Sequence, residues 1–295
     1  MKIRKILLFI FLILSAIRCS SSENFPNNED DNNKVTTKFK VASYNIRNPA
    51  KADIPTGNGW DVRKVALTDL IKKYDFDIFG VQEPYQNQID DLNNFLLDYD
   101  NVTAPYATRS LLAIYFKNNI FQVLDEGMFW LSETPDVPSM GWDADELRIV
   151  HWAKFIHKES KIEFYFFNTH FYWRYETARK NSGPLTARKI KEIAGNSPVI
   201  FVGDLNSRPT TTQIDRLKID LNDAFEVTQT PRKGPEKTNL PGGVFEGPLS
   251  GRIDYIFISK GIQVLDFTVH DDKYGEHYRY PSDHLPISSN IVIKK

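Results

Sequence analysis

The sequence predicts an α/β sandwich in which two packed β-sheets are flanked by helices, and two observations carry that prediction. From Phe39 onward, short β-prone runs separated by turn residues outnumber the stretches with helical spacing, and neither a second linker nor an internal repeat interrupts them. The runs Phe164–Thr169 (FYFFNT) and Val199–Asp204 (VIFVGD) are apolar on both faces, which suits central strands covered from two sides.

The elements follow in order. Phe39–Ile46 alternates and is rich in β-formers, so it reads as a strand. Trp60–Tyr74 sets Val62, Val65, Ala66, Leu67, Leu70 and Ile71 at helical spacing. Asp77–Gln82 is a buried strand, and Pro84–Leu97 a helix with Ile89, Leu92, Phe95 and Leu96 on one face. Leu111–Lys117, Val150–His157, Ile162–Thr169 and Val199–Gly203 are further strands. Phe171–Gly183 reads as a long basic, aromatic loop, and a helix begins near Pro184, a residue suited to the first helical position, and runs through Ile193. Asp254–Ser259 and Ile287–Ile293 complete the set.

The chain has 295 residues, with 37 Lys and Arg against 38 Asp and Glu, and 41% hydrophobic residues. That balance excludes a disordered chain, a collagen and a coiled coil, and the length suits one large domain or two small ones. The single Cys, Cys19, excludes an intramolecular disulfide framework and a Cys-rich zinc site.

Met1–Lys5 is basic and Ile6–Ile17 is apolar but too short to span a bilayer comfortably, so the start reads as a secretory signal. Cys19 at its end resembles the lipid-acceptor Cys of a bacterial lipoprotein. The expected organisation is a signal over residues 1–19, a polar tether over 20–38, and a folded domain over 39–295. The expectation is export to the cell envelope with a lipid anchor on Cys19, with simple cleavage and secretion, or an uncleaved short anchor, as the alternatives. Removing the leader takes Lys2, Arg4, Lys5 and Arg18 while every acidic residue stays, so the mature chain is acidic. It shows no basic stripe, which argues against long nucleic acid as the main substrate. No protein partner is predicted.

Polar residues interrupt the strand ends. Asn45 ends the first strand (SYNIR), Glu83 follows the second (VQEP), and His170 ends a third (NTH). Asp204 and Asn206 end a fourth (GDLN), Asp254 opens a fifth after Arg252 (RIDYIF), and Asp283 and His284 precede the last (SDHLP). Each alone reads as a turn former, a cap or a helix-entry charge. Together, each beside a strand of a rigid sheet, they read as a site.

These motifs in this order resemble the endonuclease/exonuclease/phosphatase family, over essentially all of the folded domain. Gly127–Trp142, with Arg148 and Trp152 downstream, looks like a bacterial branch, whereas Tyr172-Trp173 stands where other bacterial members have Asp-His. The resemblance implies a DNase I-like four-layer α/β sandwich of two mixed sheets, and a metal-dependent phosphoric ester hydrolase.

Such hydrolysis needs a hard cation, a deprotonated water and help for the leaving oxygen. Glu83 is the expected carboxylate ligand for Mg²⁺ or Mn²⁺, with Asn45 and Asp283 beside it. His284 is the candidate general base and the resemblance gives Asp254 as its partner. Asp204 and Asn206 position the water or stabilise the phosphoryl group, and the sequence leaves open whether Asp204 or His284 takes the proton. His170 donates to a phosphoryl oxygen. Arg63, Tyr115, Trp173 and Arg252 are candidate substrate contacts. Trp130, Trp142, Tyr172, Trp173 and Tyr175 are a candidate stacking platform, and Arg174, Arg179 and Lys180 a candidate anion-facing group. The substrate stays open among nucleic acid, a phospholipid head group, and sugar or inositol phosphates. A surface ligand- or glycan-binding lipoprotein without turnover is the alternative, and it predicts no metal dependence and no effect of losing His284.

Overall fold

Strand β1 (Thr36–Asn45) is followed by α1 (Trp60–Tyr74), β2 (Ile78–Gln82), α2 (Gln86–Phe95), β3 (Tyr99–Pro105), β4 (Leu111–Lys117), β5 (Phe121–Trp130), β6 (Ile149–His157) and β7 (Glu163–His170). Then come α3 (Glu176–Ala194), β8 (Val199–Asp204), α4 (Thr212–Asp220), β9 (Leu221–Asp223), α5 (Ala224–Val227), β10 (Asp254–Ser259), β11 (Gln263–Val264), β12 (Thr268–Val269) and β13 (Ile287–Lys294). This computed structural model describes residues 35–295, so the leader, Cys19 and most of the tether lie outside the described residues.

The strands form a 7-stranded sheet in the order β11-β13-β1-β2-β4-β3, with β12 also on β13, and a 6-stranded sheet in the order β5-β6-β7-β8-β10-β9. Both sheets are mixed. β1 runs parallel to β2, and β7 parallel to β8, while the other pairings are antiparallel.

Period-two alternation sorts each central strand between two cores. Phe39 and Val41 of β1, Phe164 and Phe166 of β7, and Ile200 and Val202 of β8 fill the space between the sheets. Ala42 and Tyr44 instead face Leu67, Leu70 and Ile71 of α1 and Ile89 and Leu92 of α2. Phe167, Phe201 and Phe257 face Leu185 and Ile190 of α3 and Ile214 and Leu217 of α4. The result is the expected four-layer, DNase I-like sandwich, helices–sheet–sheet–helices.

This topology gathers the polar strand ends. The parallel pairs β1/β2 and β7/β8 end on one edge of their sheets, and β10 and β13, antiparallel to β8 and β1, begin there. Near that edge a polar tie crosses between the sheets: Gln82 Nε2 donates to Asn168 Oδ1 (2.7 Å), and Asn168 Nδ2 donates to the carbonyls of Val81 (3.0 Å) and Ala113 (2.9 Å). Gly80 permits this approach, since a Cβ there would stand 2.6 Å from Val202 Cγ2 and 2.7 Å from Asn168 Oδ1.

Three elements differ from expectation. β1 begins at Thr36, inside the stretch whose composition reads as tether, because Thr36–Lys38 pair with Val292–Lys294 of β13. The expected loop Phe171–Gly183 is helical from Glu176, and Pro184 lies inside α3. The start of α3 is capped from far along the chain: Asp143 accepts the N–H groups of Thr177 (3.1 Å) and Ala178 (2.7 Å). Strands β3 and β5 are at sheet edges and largely solvated, so their sequences lack the apolar runs of the central strands.

Candidate active site

Register places the candidate residues side by side. On the second sheet His170 is opposite Asp204, and Asp204 opposite Asp254. On the first sheet Asn45 is opposite Gln82, so Glu83 leaves the strand end beside it. Glu83 has φ 65°, a left-handed conformation unfavourable for a residue with a Cβ, which turns the chain sharply as it leaves β2. Gly203, with φ 153°, lets β8 approach β7, since a Cβ there would lie 2.2 Å from Thr169 O. The turn before β13 is anchored by Ser282 Oγ, which donates to Asn45 O (2.7 Å), and by Leu285 N and Leu240 N, which bond to Thr238 O and Asp283 O.

The side chains converge on a cleft of ≈ 620 Å³ whose lining includes Glu83, His170, Asp204, Asn206, Asp283 and His284. Asn45 Nδ2 bridges two carboxylates, donating to Glu83 Oε1 (3.1 Å) and Asp204 Oδ2 (3.0 Å). The other Glu83 oxygen accepts the backbone N–H (3.1 Å) and the side-chain amide (2.7 Å) of Asn48. His284 Nδ1 lies 3.0 Å from Asp254 Oδ2, and Asp254 is itself fixed by Thr238 Oγ1 (2.6 Å). That leaves His284 Nε2 facing Asp204 Oδ2 at 3.6 Å, with His170 Nε2 on the same oxygen at 3.4 Å. The backbone N–H of Asn206 holds Asp204 Oδ1 (2.9 Å), and the Asn206 amide is pinned to Phe171 O (3.0 Å).

Burial would raise the Glu83 pKa, but the His170 ring and the hydrogen bonds from Asn45 and Asn48 outweigh it and hold the group at about 2. Burial pushes Asp283 up to about 6, with Glu83 adding to the rise and His284 opposing it, and burial also raises Asp204. Burial and the charge of Arg148 lower His170 to about 4, so it is neutral at pH 7. His284 goes the other way: the carboxylates of Asp254 and Asp204 outweigh its burial and lift it well above 6.5.

The partly exposed Glu83 and the buried Asp204 and Asp283 thus crowd carboxylates into one cleft. All offer carboxylate oxygen there, so the donor set fits a hard divalent cation. Asp204, Asp254 and His284 also lie within 4.8 Å of one another, in metal-binding proximity. Asp254, however, is committed to Thr238 and His284, which leaves Asp204 as the member facing Glu83. Asn45, expected as a ligand, spends its amide nitrogen on two carboxylates and its oxygen on Arg47 N (3.0 Å), and so spaces the carboxylates.

Three expected substrate contacts are corrected. Arg63 is fully buried and donates to the carbonyls of Asn58, Ile46, Pro281 and Arg47, which ties α1 to the chain after β1 and to the turn before Asp283. Removing it strands four carbonyls, so Arg63→Met is expected to cost on the order of 3 kcal/mol or more, read as a lower urea midpoint; a wild-type midpoint would contradict this role. Tyr115 is fully buried, stacked on Phe79, with its hydroxyl on Asn93 Oδ1 (3.0 Å). Arg252 is buried against Phe225 and Tyr255 and pairs with Asp223 (2.8 Å).

Trp173 does line the cleft and is half exposed. The rest of the aromatic platform disperses: Trp130 and Tyr172 are buried, Trp142 packs on the α3 side of the second sheet, and Tyr175 is exposed beside Arg174. The basic group is engaged locally, Arg174 with Asp145, Arg179 with Trp173 O, and Lys180 with Glu176. Sequence reasoning missed Asn48, Thr238 and Ser282, which position the site without standing at strand ends. Arg47 and Arg148 also line the cleft, and Arg47 is forked onto Asp53 (3.2 Å to each oxygen).

Comparison with known proteins agrees with this geometry. A structure described as an endonuclease/exonuclease/phosphatase family protein from Bacteroides thetaiotaomicron is 35% identical with a TM-score of 0.83, covering 88% of this chain and 96% of that one. A mannosyl-6-phosphatase of the same organism is 36% identical with a TM-score of 0.81, covering 86% of this chain and 100% of that one. Protein L388 of Acanthamoeba polyphaga mimivirus is 29% identical over 181 residues, 57% of this chain and 67% of that one. The model of the Endonuclease/Exonuclease/phosphatase family matches residues 42–284, a span that runs from β1 to His284 and takes in every polar strand end described above. The chain therefore belongs to the endonuclease/exonuclease/phosphatase family, a family of phosphoesterases.

Proposed function

We propose that the protein is a Mg²⁺- or Mn²⁺-dependent hydrolase of phosphate esters, with sugar phosphates the favoured class. One observation carries the reading: His284, hydrogen-bonded to Asp254 through Nδ1, turns Nε2 toward Asp204 Oδ2 at 3.6 Å, in the same cleft as Glu83. The substrate class is supported by the 36% identity to a mannosyl-6-phosphatase.

In this reading Asp254 orients the His284 ring and stabilises its charged form, so that Nε2 faces the cleft. The Asp204–His284 pair receives the proton of the attacking water, and Asn45 and the Asn206 N–H hold Asp204 in place for it. Neutral His170 donates one N–H to a phosphoryl oxygen as charge grows there. Trp173 at the rim meets the organic part of the ester. Glu83, with Asp204 and Asp283, would hold the divalent cation, which would supply neutralisation of charge on the phosphoryl oxygens.

Protein purified from Val35 onward, which keeps all of β1, should hydrolyse a sugar phosphate or a p-nitrophenyl ester only with metal present. EDTA should abolish the rate and Mg²⁺ restore it, whereas full activity in chelator removes the metal from the scheme. A panel that adds DNA, RNA, sphingomyelin and inositol phosphates ranks the substrate class, and preference for one of these displaces the sugar-phosphate reading.

A further inference from the structure

Arg148, just before β6, lines the same cleft and has no part in the scheme above. Other arginines nearby are committed elsewhere: Arg63 to four carbonyls, Arg47 to the Asp53 fork and to Asp283 (3.5 Å), and Arg252, away from the cleft lining and stacked on Phe225 and Tyr255, to Asp223. Arg148 is not. Its side chain is 10% exposed, yet its one charged acceptor among the described residues is the 49%-exposed Glu146 (2.8 Å), and Nη1 reaches Tyr106 Oη only at 3.4 Å. Its Nε is buried with no hydrogen-bond partner among the described residues. A guanidinium has five N–H donors, so this one keeps spare donor capacity at the wall of an acidic cleft. Its charge also reaches His170, where it helps hold the ring neutral, which sets it near the place where a phosphoryl group would meet that ring.

The two ester classes differ in what they ask of such a cation. At neutral pH a monoester carries up to two charges over three unesterified oxygens. A diester carries one charge over two, and its second ester oxygen brings a carbon substituent. A planar fork of donors rewards the extra anionic oxygen and has nothing to offer the substituent.

We propose that Arg148 receives the third unesterified oxygen of a phosphate monoester and so makes this centre select monoesters over diesters. The inference rests on the phosphoesterase reading above. Glu146 holds the guanidinium while the cleft is empty, and because it is half exposed it gives way to the phosphate at little cost.

The test compares p-nitrophenyl phosphate with bis(p-nitrophenyl) phosphate at saturating Mg²⁺, for the wild type, Arg148→Met and Arg148→Lys. The wild type is expected to prefer the monoester. Arg148→Met should lose at least about tenfold in kcat/KM on the monoester and no more than about threefold on the diester. Arg148→Lys, which keeps the charge without the fork, should fall between, and it carries the test if the Met variant does not fold. Inorganic phosphate, titrated calorimetrically, should bind either variant more weakly than wild type, with the larger loss for Met. Equal losses on the two esters, or phosphate affinity equal to wild type in both variants, would overturn the role of Arg148 and leave the phosphoesterase reading standing. A wild type that hydrolyses neither these esters nor any member of the substrate panel overturns both.

Discussion

His284→Ala is expected to lower kcat on a phosphate ester by at least about 10²-fold, the scale of losing a positioned acid–base group, while the fold survives. His284 is in a loop before β13, and among the described residues its ring faces the carboxylates of Asp254 and Asp204. Truncation therefore removes chemistry and little packing. An unchanged rate would move proton transfer to Asp204 alone. The same ring gives a reading independent of turnover. Asp254 and Asp204 lift it well above 6.5, so in chelated protein its NMR titration should lie above neutrality, and Asp254→Asn should bring it down. The sign for stability follows. A raised pKa contributes stability that is complete below the unfolded value of 6.5 and is lost as pH rises through the folded value. Asp254→Asn should therefore cost more stability at pH 6 than in the alkaline range above the folded pKa. A cost independent of pH would show that the pair is not ionic in the folded state.

The central architecture was legible because it rests on local rules. Phe39–Val41 and Phe164–Phe166 alternate between two cores, and a strand covered on both faces must be apolar throughout. Trp60–Tyr74 shows its helical period directly. The convergence of the candidate residues was expected for a related reason: Asn45, His170, Asp204 and Asp254 are polar at strand ends, and Glu83 and Asp283 stand in the segments beside β2 and β13. What stayed hidden depends on partners far along the chain. Gly183-Pro184 reads locally as a break, yet α3 runs through it, with Gly183 packed so closely on α4 that a Cβ would lie 2.6 Å from Gln213 O. Thr36–Lys38 reads as tether until β13 supplies its partner. Arg63, Tyr115 and Arg252 are residue types that suit a phosphate or a sugar. Only the fold shows that their polar groups are consumed by backbone carbonyls, Asn93 and Asp223. Arg148 was visible as a letter, but its spare donors exist only in three dimensions.

Glu83→Gln is expected to remove the cation and with it turnover: weaker binding of Mn²⁺ or Mg²⁺ by at least about tenfold, and a loss of order 10²–10³ in kcat/KM at limiting metal. The substitution keeps the volume and the left-handed backbone at residue 83, so the loss reports charge. It also sets an amide N–H₂ against the amides of Asn45 and Asn48, which donate to both carboxylate oxygens in the native protein. One of those donors must lose its acceptor. Two pH effects separate this account from a general disruption. With Glu83 held at about 2, its contribution to stability is complete above its ordinary value of 4.5 and is lost as pH falls toward 2; the Gln variant should lack that acid-range slope. Asp283, raised to about 6 partly by the Glu83 charge, should titrate lower in the variant, as read by carboxyl NMR in chelator. A variant that binds metal as tightly as wild type would remove Glu83 from the cation site, and the negative charge crowded into the cleft would then need another counter-charge.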